Sequence, residues 1–186
     1  MDRIKTTSVT ASVAHCVIDE PSIELRFEDV FRAEMGNVGR TLRYLGVREA
    51  LLDDACQEVF LVVHRRLSDF KTGSFRGWIR QICVNVARNQ RRTTRRRRED
   101  VVEETPEVAA AATQDGDLEQ CQLRERLLAL LAELPEPQRV VFVLYELEEL
   151  AMSEVAVAAS CPLQTAYSRL HAARAAIKAQ IAKEGR

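Results

Sequence analysis

The strongest constraint on how this chain can fold is a break after residue 98. Residues 1–98 carry 19 Lys and Arg against 12 Asp and Glu, whereas residues 99–186 carry 8 against 16. A formal net charge of −1 therefore hides one basic half and one acidic half. The segment that opens the acidic half, "EDVVEETPEVAAAATQDGD", has seven acids, no base and no amphipathic period. Such composition cannot bury enough apolar surface to order itself, so residues 99–116 are predicted to be a flexible acidic linker. The chain then divides into two small domains, and 186 residues are enough for either arrangement to bury a core.

Within each half the apolar residues recur at helical spacing, and an all-α fold is expected. Seven glycines, five prolines and 5% aromatic residues agree with helix over sheet. No stretch approaches the roughly 18 apolar residues of a membrane span, so no membrane insertion is expected. The polar N-terminus lacks an export signal, which points to a cytoplasmic protein with residues 1–25 as a mobile tail. Five cysteines are scattered singly with no CxxC pair. Cys56, Cys83 and Cys121 fall in helical patterns and are expected to be reduced core residues. His15, His64 and His171 show no ligand spacing with them, so neither a metal nor a cofactor is expected.

"FEDVFRAEMGNVGRTLRYLG" (27–46) sets Phe27, Val30, Phe31, Val38, Leu42 and Leu45 on one apolar face, with Gly46 as a stop. "REALLDDACQEVFLVVHRRL" (48–67) turns Leu52, Ala55, Cys56, Val59, Val63 and Leu67 inward. Its other face carries Asp54, Gln57, Glu58, Leu61 and Arg65, which suits either an ordinary wet surface or the docking of a basic helical partner. After the polar loop in "FKTGSF", the helix "FRGWIRQICVNVARNQRRTTRRRR" points Ile79, Ile82, Cys83 and Val86 to a core. Trp78, Asn85 and Asn89 share a neighbouring ridge, and Gln81, Arg88 and Arg92 continue that surface.

Residues 70–98 hold ten basic side chains, Arg80 among them, and no acid, a composition that favours a polyanion. An aromatic plane, two amides and flanking guanidinium groups suit unstacked bases: rings stack, amides read base edges and arginine holds phosphate.

In the second half, Asp117 and Gln120 have capping-box spacing. Leu118, Leu127, Leu128, Leu131 and Leu134 then follow along one helix. Pro137 is placed to start the next helix, "QRVVFVLYELEEL". A short helix from Ser153, a turn at Cys161-Pro162 and the longer "LQTAYSRLHAARAAIKAQI" follow the helix-turn-helix plan, whose second helix enters a major groove. Leu163, Ala166, Leu170, Ala173, Ile177 and Ile181 are expected inward. Gln164, Thr165, Ser168, His171 and Ala172 are expected outward, with Tyr167, Arg169 and Arg174 on the shoulders.

"DDACQEVFLVVHRRL" with "FKTGSFRGWIRQICVNVARNQRRTTRRRR" resembles the second conserved region of bacterial sigma factors of the extracytoplasmic-function (ECF) group. "LPEPQRVVFVLYELEELAMSEVA" with "TAYSRLHAARAAI" resembles the fourth conserved region of the same sigma-70 family. The resemblance covers about residues 26–183, with residues 26–98 as the first domain and 117–183 as the second. It implies that Asp53, Asp54, Gln57, Glu58 and Leu61 dock on core RNA polymerase. It likewise implies that Phe75, Trp78, Asn85, Arg88, Asn89 and Arg92 recognise and melt the −10 element. For the −35 element it implies Gln164, Thr165, Tyr167, Ser168, Arg169, His171, Ala172 and Arg174.

The chain departs from the family at Ala55-Cys56, where Leu-Val is usual, and at Gln164-Thr165-Ala166, where Gly-Thr-Val is frequent. It also lacks the common basic residues at Tyr167 and Ala172, so the −35 grip should rely less on charge.

As a flexible coil the linker spans about 23 Å on average and about 60 Å at full stretch. The two halves could therefore grip one duplex more than a helical turn of about 34 Å apart. The expected function is that of a promoter-specificity subunit with no catalysis of its own. Its expected partners are core RNA polymerase and promoter DNA, with room for an anti-sigma factor. The competing reading is a conventional helix-turn-helix regulator with a sensing or oligomerising first domain. A nuclease using Asp54 and Glu58 fits less well, because no second acidic cluster converges on that helix.

Overall fold

The computed structural model describes residues 26–100 and 118–184, with side chains described over 26–93 and 120–184. The N-terminal tail, most of the acidic linker and Asp117 lie outside the described residues. Seven α-helices are present among those described: α1 (Phe27–Tyr44), α2 (Leu52–Arg66), α3 (Phe75–Asp100), α4 (Leu118–Glu133), α5 (Glu136–Phe142), α6 (Met152–Ala158) and α7 (Leu163–Glu184). Helix α3 includes Glu99 and Asp100, which the charge break had placed in the linker.

In the first half α1, α2 and α3 pack together through Val38, Leu42, Ala55, Val59, Val63, Ile79, Cys83 and Val86. Gly46 ends the α1 segment at φ 89°, a backbone position that only glycine adopts cheaply. Arg43 then reaches Glu49 through two hydrogen bonds, Nε–Oε2 at 2.9 Å and Nη2–Oε1 at 2.8 Å, fixing the turn into α2. The hydrogen bond to Arg43 holds the Glu49 carboxyl below its ordinary pKa. Ser74 caps α3: its Oγ accepts the Gly77 N–H at 3.0 Å.

In the second half α4 and α5 pack with the helix-turn-helix of α6 and α7. Pro137 falls in the first turn of α5 as expected. The helix that the sequence predicts from Gln138 onward does not stay α-helical. After Phe142 it widens into a π-turn over Val143–Leu147, with the Glu148 N–H bonded to Val143 O at 3.0 Å. Glu154 accepts the Ala151 N–H at 2.9 Å and so caps the start of α6. Ser160, at φ 54°, makes the turn into α7.

Several sequence-based placements fail at helix ends, which reach beyond the residues that cover them. The 22-residue α7 packs on helices of seven residues, so Leu163 and Ile181 at its ends are 48% and 46% exposed rather than inward. Residues 120–126 of α4 are likewise exposed, and Cys121 with them, so Cys121 is not a core residue. Cys83 is fully buried, its thiol pushed up to about 12 by burial, whereas Cys56 is half-buried. Phe31 stays 37% exposed because it stacks on the rim, with ring centroids 4.7 Å from Phe60 and 6.0 Å from Phe27.

The two halves are not held apart. Their buried residues form one continuous apolar cluster in which α6 lies against α3.

Candidate functional site

Three surfaces correspond to the residues singled out in the sequence. On α2, Asp53, Asp54, Gln57 and Leu61 are exposed, Leu61 by 48%. Glu58 is half-buried and accepts a hydrogen bond from Gln90 of α3 at 3.3 Å. Asp53, Gln57 and Leu61 border a groove of about 750 Å³ between α1 and α2, whose apolar wall includes Phe31, Met35 and Phe60. Met35 is 45% exposed, and periodicity gave no reason to single it out. An acidic row beside an exposed apolar strip suits a partner helix that is basic on one side and apolar on the other.

Helix α3 carries the second surface. Asn85 and Asn89 are exposed and lie with Arg88, Arg91 and Arg92 along a cleft of about 1020 Å³, to which Arg48 adds a further cation. Trp78 lines a different cleft of about 480 Å³, together with the Lys71–Ser74 loop and Gln81. The ridge is therefore continuous along α3 but opens into two clefts.

Trp78 is half-buried, with ring centroids 5.6 Å from Phe70 and 5.6 Å from Phe75, which are 5.1 Å from each other. The three rings pack on one another, and each keeps part of its surface open. The Lys71 and Arg92 side chains are exposed. Those of Arg95 to Arg98 lie outside the described residues.

Arg80 departs from the reading of the basic run as a polyanion-binding block. It is completely buried, its Nε 2.6 Å from Glu148 Oε2 and its Nη1 2.9 Å from Glu34 Oε2. Burial opposes its charge, but hydrogen bonding and proximity to Glu148, then to Glu34, outweigh it and leave its pKa above the ordinary value. Thr41 Oγ1 donates to Glu148 Oε1 at 2.6 Å and joins the network, which leaves Arg80 Nη2 without a partner among the described residues. Neither Thr41 nor Glu148 carried a signal in the sequence, because Thr41 reads as helix filler and Glu148 as one acid among three in "YELEEL". Acids that balance Arg80 exist after all, Glu34 from α1 of the same half and Glu148 from the other half of the chain.

The third surface lies on α7. Gln164, Tyr167, Ser168, His171 and Arg174 are exposed, while Thr165, Arg169 and Ala172 are half-buried. Arg174 is turned to Glu146 (Nη2–Oε1 2.6 Å) and lies over the Tyr145 ring, 5.7 Å from its centroid. Its charge is thus already engaged in this structure.

A helix-turn-helix beside a helix lined with amides and arginines defines an all-α, two-module protein of nucleic-acid recognition. The family model for sigma-70 region 2 matches residues 30–97, and that for sigma-70 region 4 matches residues 124–177. The chain belongs to the sigma-70 family, in its ECF group.

It is 33% identical over 138 residues to the ECF RNA polymerase sigma-E factor of Escherichia coli K12, covering 69% of this chain and 72% of that one. It is 32% identical over 134 residues to the RNA polymerase sigma-H factor of Pseudomonas aeruginosa, covering 67% and 69%. Two solved structures share the fold. CnrH in complex with the cytosolic domain of CnrY has a TM-score of 0.63 at 20% identity, covering 84% of this chain and 88% of that one. The sigma factor RpoE in complex with the anti-sigma factor NepR from Bartonella quintana has a TM-score of 0.69 at 21% identity, covering 83% and 96%.

The chain is therefore a promoter-specificity factor. It binds core RNA polymerase, recognises −35 and −10 elements and promotes DNA melting. It is a DNA-recognition protein rather than a classical enzyme. Among the described residues no helix is long and apolar enough to cross a membrane.

Proposed function

We propose that the work of the factor is divided among the three surfaces. Asp53, Asp54, Gln57, Glu58 and Leu61 dock on core polymerase. Phe75, Trp78, Asn85, Arg88, Asn89 and Arg92 capture and open the −10 element. Gln164, Thr165, Tyr167, Ser168, Arg169, His171, Ala172 and Arg174 grip the −35 duplex. The domains run over 26–98 and 117–183, joined by 99–116. The factor acts in the cytoplasm with polymerase and has no catalysis of its own. An anti-sigma factor is a further partner, supported by the neighbour RpoE in complex with NepR.

One observation carries the −10 assignment. Asn85 and Asn89 are exposed one turn apart in a cleft whose cations are Arg48, Arg88, Arg91 and Arg92. A base taken from the stack loses a few kcal/mol of stacking and pairing. An amide, which donates and accepts at once, returns part of that in a base-dependent way, while guanidinium groups hold the phosphates. Asn85→Ala is tested by permanganate footprinting of promoter thymines, on duplex and on a template already mismatched over the −10 region. The expected result is failed opening on duplex, rescue on the mismatched template and unchanged polymerase binding. Wild-type opening on duplex would make the asparagine ridge ordinary helix surface.

A further inference from the structure

One wall of the amide cleft comes from outside the basic run of residues 70–98. The cleft of about 1020 Å³ lies between α3, with Asn85, Asn89 and Arg92, and the turn that joins α1 to α2. Val47 and Leu51 give that turn an apolar footing, and Arg48 between them is exposed. Among the residues that the turn brings to the cleft, Arg48 alone is charged.

The backbone of the turn holds this residue in place. Gly46 carries the chain round at φ 89°, and the Val47 N–H donates to the Leu42 carbonyl at 3.0 Å. Arg48 itself is extended, at φ −66° and ψ 146°, and its carbonyl accepts the Leu51 N–H at 2.9 Å. Both flanks of Arg48 are therefore tied down before any ligand arrives, which lowers the ordering cost of binding. Glu49, the acid next to it in the chain, is committed to Arg43 through two hydrogen bonds. Arg88 and Arg91, by contrast, face Glu136 at 3.5 and 3.2 Å, which offsets part of their charge.

We propose that Arg48 is a further −10 contact, which holds a phosphate of the strand from the wall facing α3 while Asn85 and Asn89 read its bases. The proposal rests on the assignment of α3 to the −10 element. In a strand the base and the phosphate extend from opposite sides of the sugar, so reading bases on one wall places phosphates toward the other. Phosphate contacts fix register and base contacts specify sequence. A fixed cation facing the asparagines therefore stops the strand from sliding along their ridge. Arg43 and Glu49 are positioning residues in this scheme, acting through the turn that they close.

The test uses polymerase holoenzyme carrying the full-length factor and a fluorescein-labelled promoter fragment mismatched over the −10 region. Affinity is titrated against salt for wild type, Arg48→Ala, Arg48→Lys and Arg32→Ala. Each phosphate held by a cation adds about 0.7 to the fall of log affinity with log salt on a single strand. Arg48→Ala is expected to bind about tenfold more weakly at about 50 mM salt. Its deficit is expected to shrink about 2.6-fold at about 200 mM, because one phosphate contact has left the slope. Arg48→Lys keeps the charge without the planar fork, so it should keep the wild-type slope with a smaller loss. Arg32→Ala removes an exposed cation of α1 outside the cleft lining and is expected to change neither reading.

Unchanged affinity and slope in Arg48→Ala overturns the contact. A deficit that stays constant with salt, or that Arg48→Lys shares in full, overturns it as well and leaves Arg48 a part of the turn only. Asn85→Ala, read by permanganate on duplex in parallel, separates the two possible failures. Failed opening there beside an unaffected Arg48→Ala removes Arg48 alone. Wild-type opening by Asn85→Ala removes the assignment of α3, and the proposal with it.

Discussion

Trp78→Ala is the substitution whose meaning the structure changes most. An aromatic residue beside amides could be a stacking platform or simply part of the core, and the aromatic trio makes it both. Half-burial of a tryptophan removes about 100 Å² from water, worth about 2.5 kcal/mol at about 25 cal/mol per Å². The two ring pairs, with Phe70 and Phe75 at 5.6 Å, add about 0.5–1.5 kcal/mol each.

Compact denatured states lower such sums, so a loss of about 2–4 kcal/mol is expected. At about 2–4 °C per kcal/mol for a chain of this size, Tm falls by about 4–16 °C. Trp78→Phe keeps a ring on both partners and should lose no more than about 1.5 kcal/mol. Thermal melts of both variants are paired with permanganate footprinting below the lower Tm. Opening is expected to survive largely in Trp78→Phe and to fail in Trp78→Ala even where that variant is folded. A Trp78→Ala protein that melts within about 2 °C of wild type would refute the packing role of the trio.

Three further outcomes are expected. Asp54→Arg with Glu58→Arg should abolish pull-down of core polymerase while changing stability by no more than about 0.5 kcal/mol, because Asp54 is exposed and Glu58 makes only one long hydrogen bond. The Glu49 carboxyl, held low by Arg43, contributes stability that is present above its ordinary pKa and lost as pH falls through its folded value. Glu49→Gln should therefore lower stability modestly at neutral pH, leave the acid end unchanged and so flatten the acid limb of a denaturation-against-pH series. Cys83, fully buried with its thiol pushed up to about 12, should resist maleimide in the folded protein while exposed Cys121 reacts at once, which mass spectrometry of peptides will show.

The helices of the first half were legible because each packs one stripe on two neighbours, which is the situation that a 3.6-residue period reports. Ile79, Ile82, Cys83 and Val86 are buried where the period put them. The period misleads at Leu163, Ile181 and Cys121, where it outlasts the partner helix. It is silent about Arg80 and Glu148. Their pairing spans 68 positions, and a sum over local charge treats each as solvated. The acidic and basic residues were each visible as a surplus, but nothing in one-dimensional spacing pairs a surplus in one half with that in the other. Gly46 was legible as a helix stop. Its second role was not, since a side chain there would collide with the Arg139 guanidinium arriving from α5. Arg139 spends its own donors on the Ala132 and Leu134 carbonyls, both at 2.9 Å.

The π-turn at Val143–Leu147 has a consequence at the level of the gene. A π-turn is an α-helix carrying one residue too many for its register. Loss of a single codon between 143 and 147 would let α5 run on as regular helix and swing everything after it by about 100°. Glu148 would then face away from Arg80, and α7 would lose its packing on α5 while keeping that on α6. Three nucleotides thus separate a lineage whose halves can meet from one whose halves cannot, with no change to any residue that would touch DNA. Indel patterns at this one codon among descendants of a common ancestor would record when the two halves became partners.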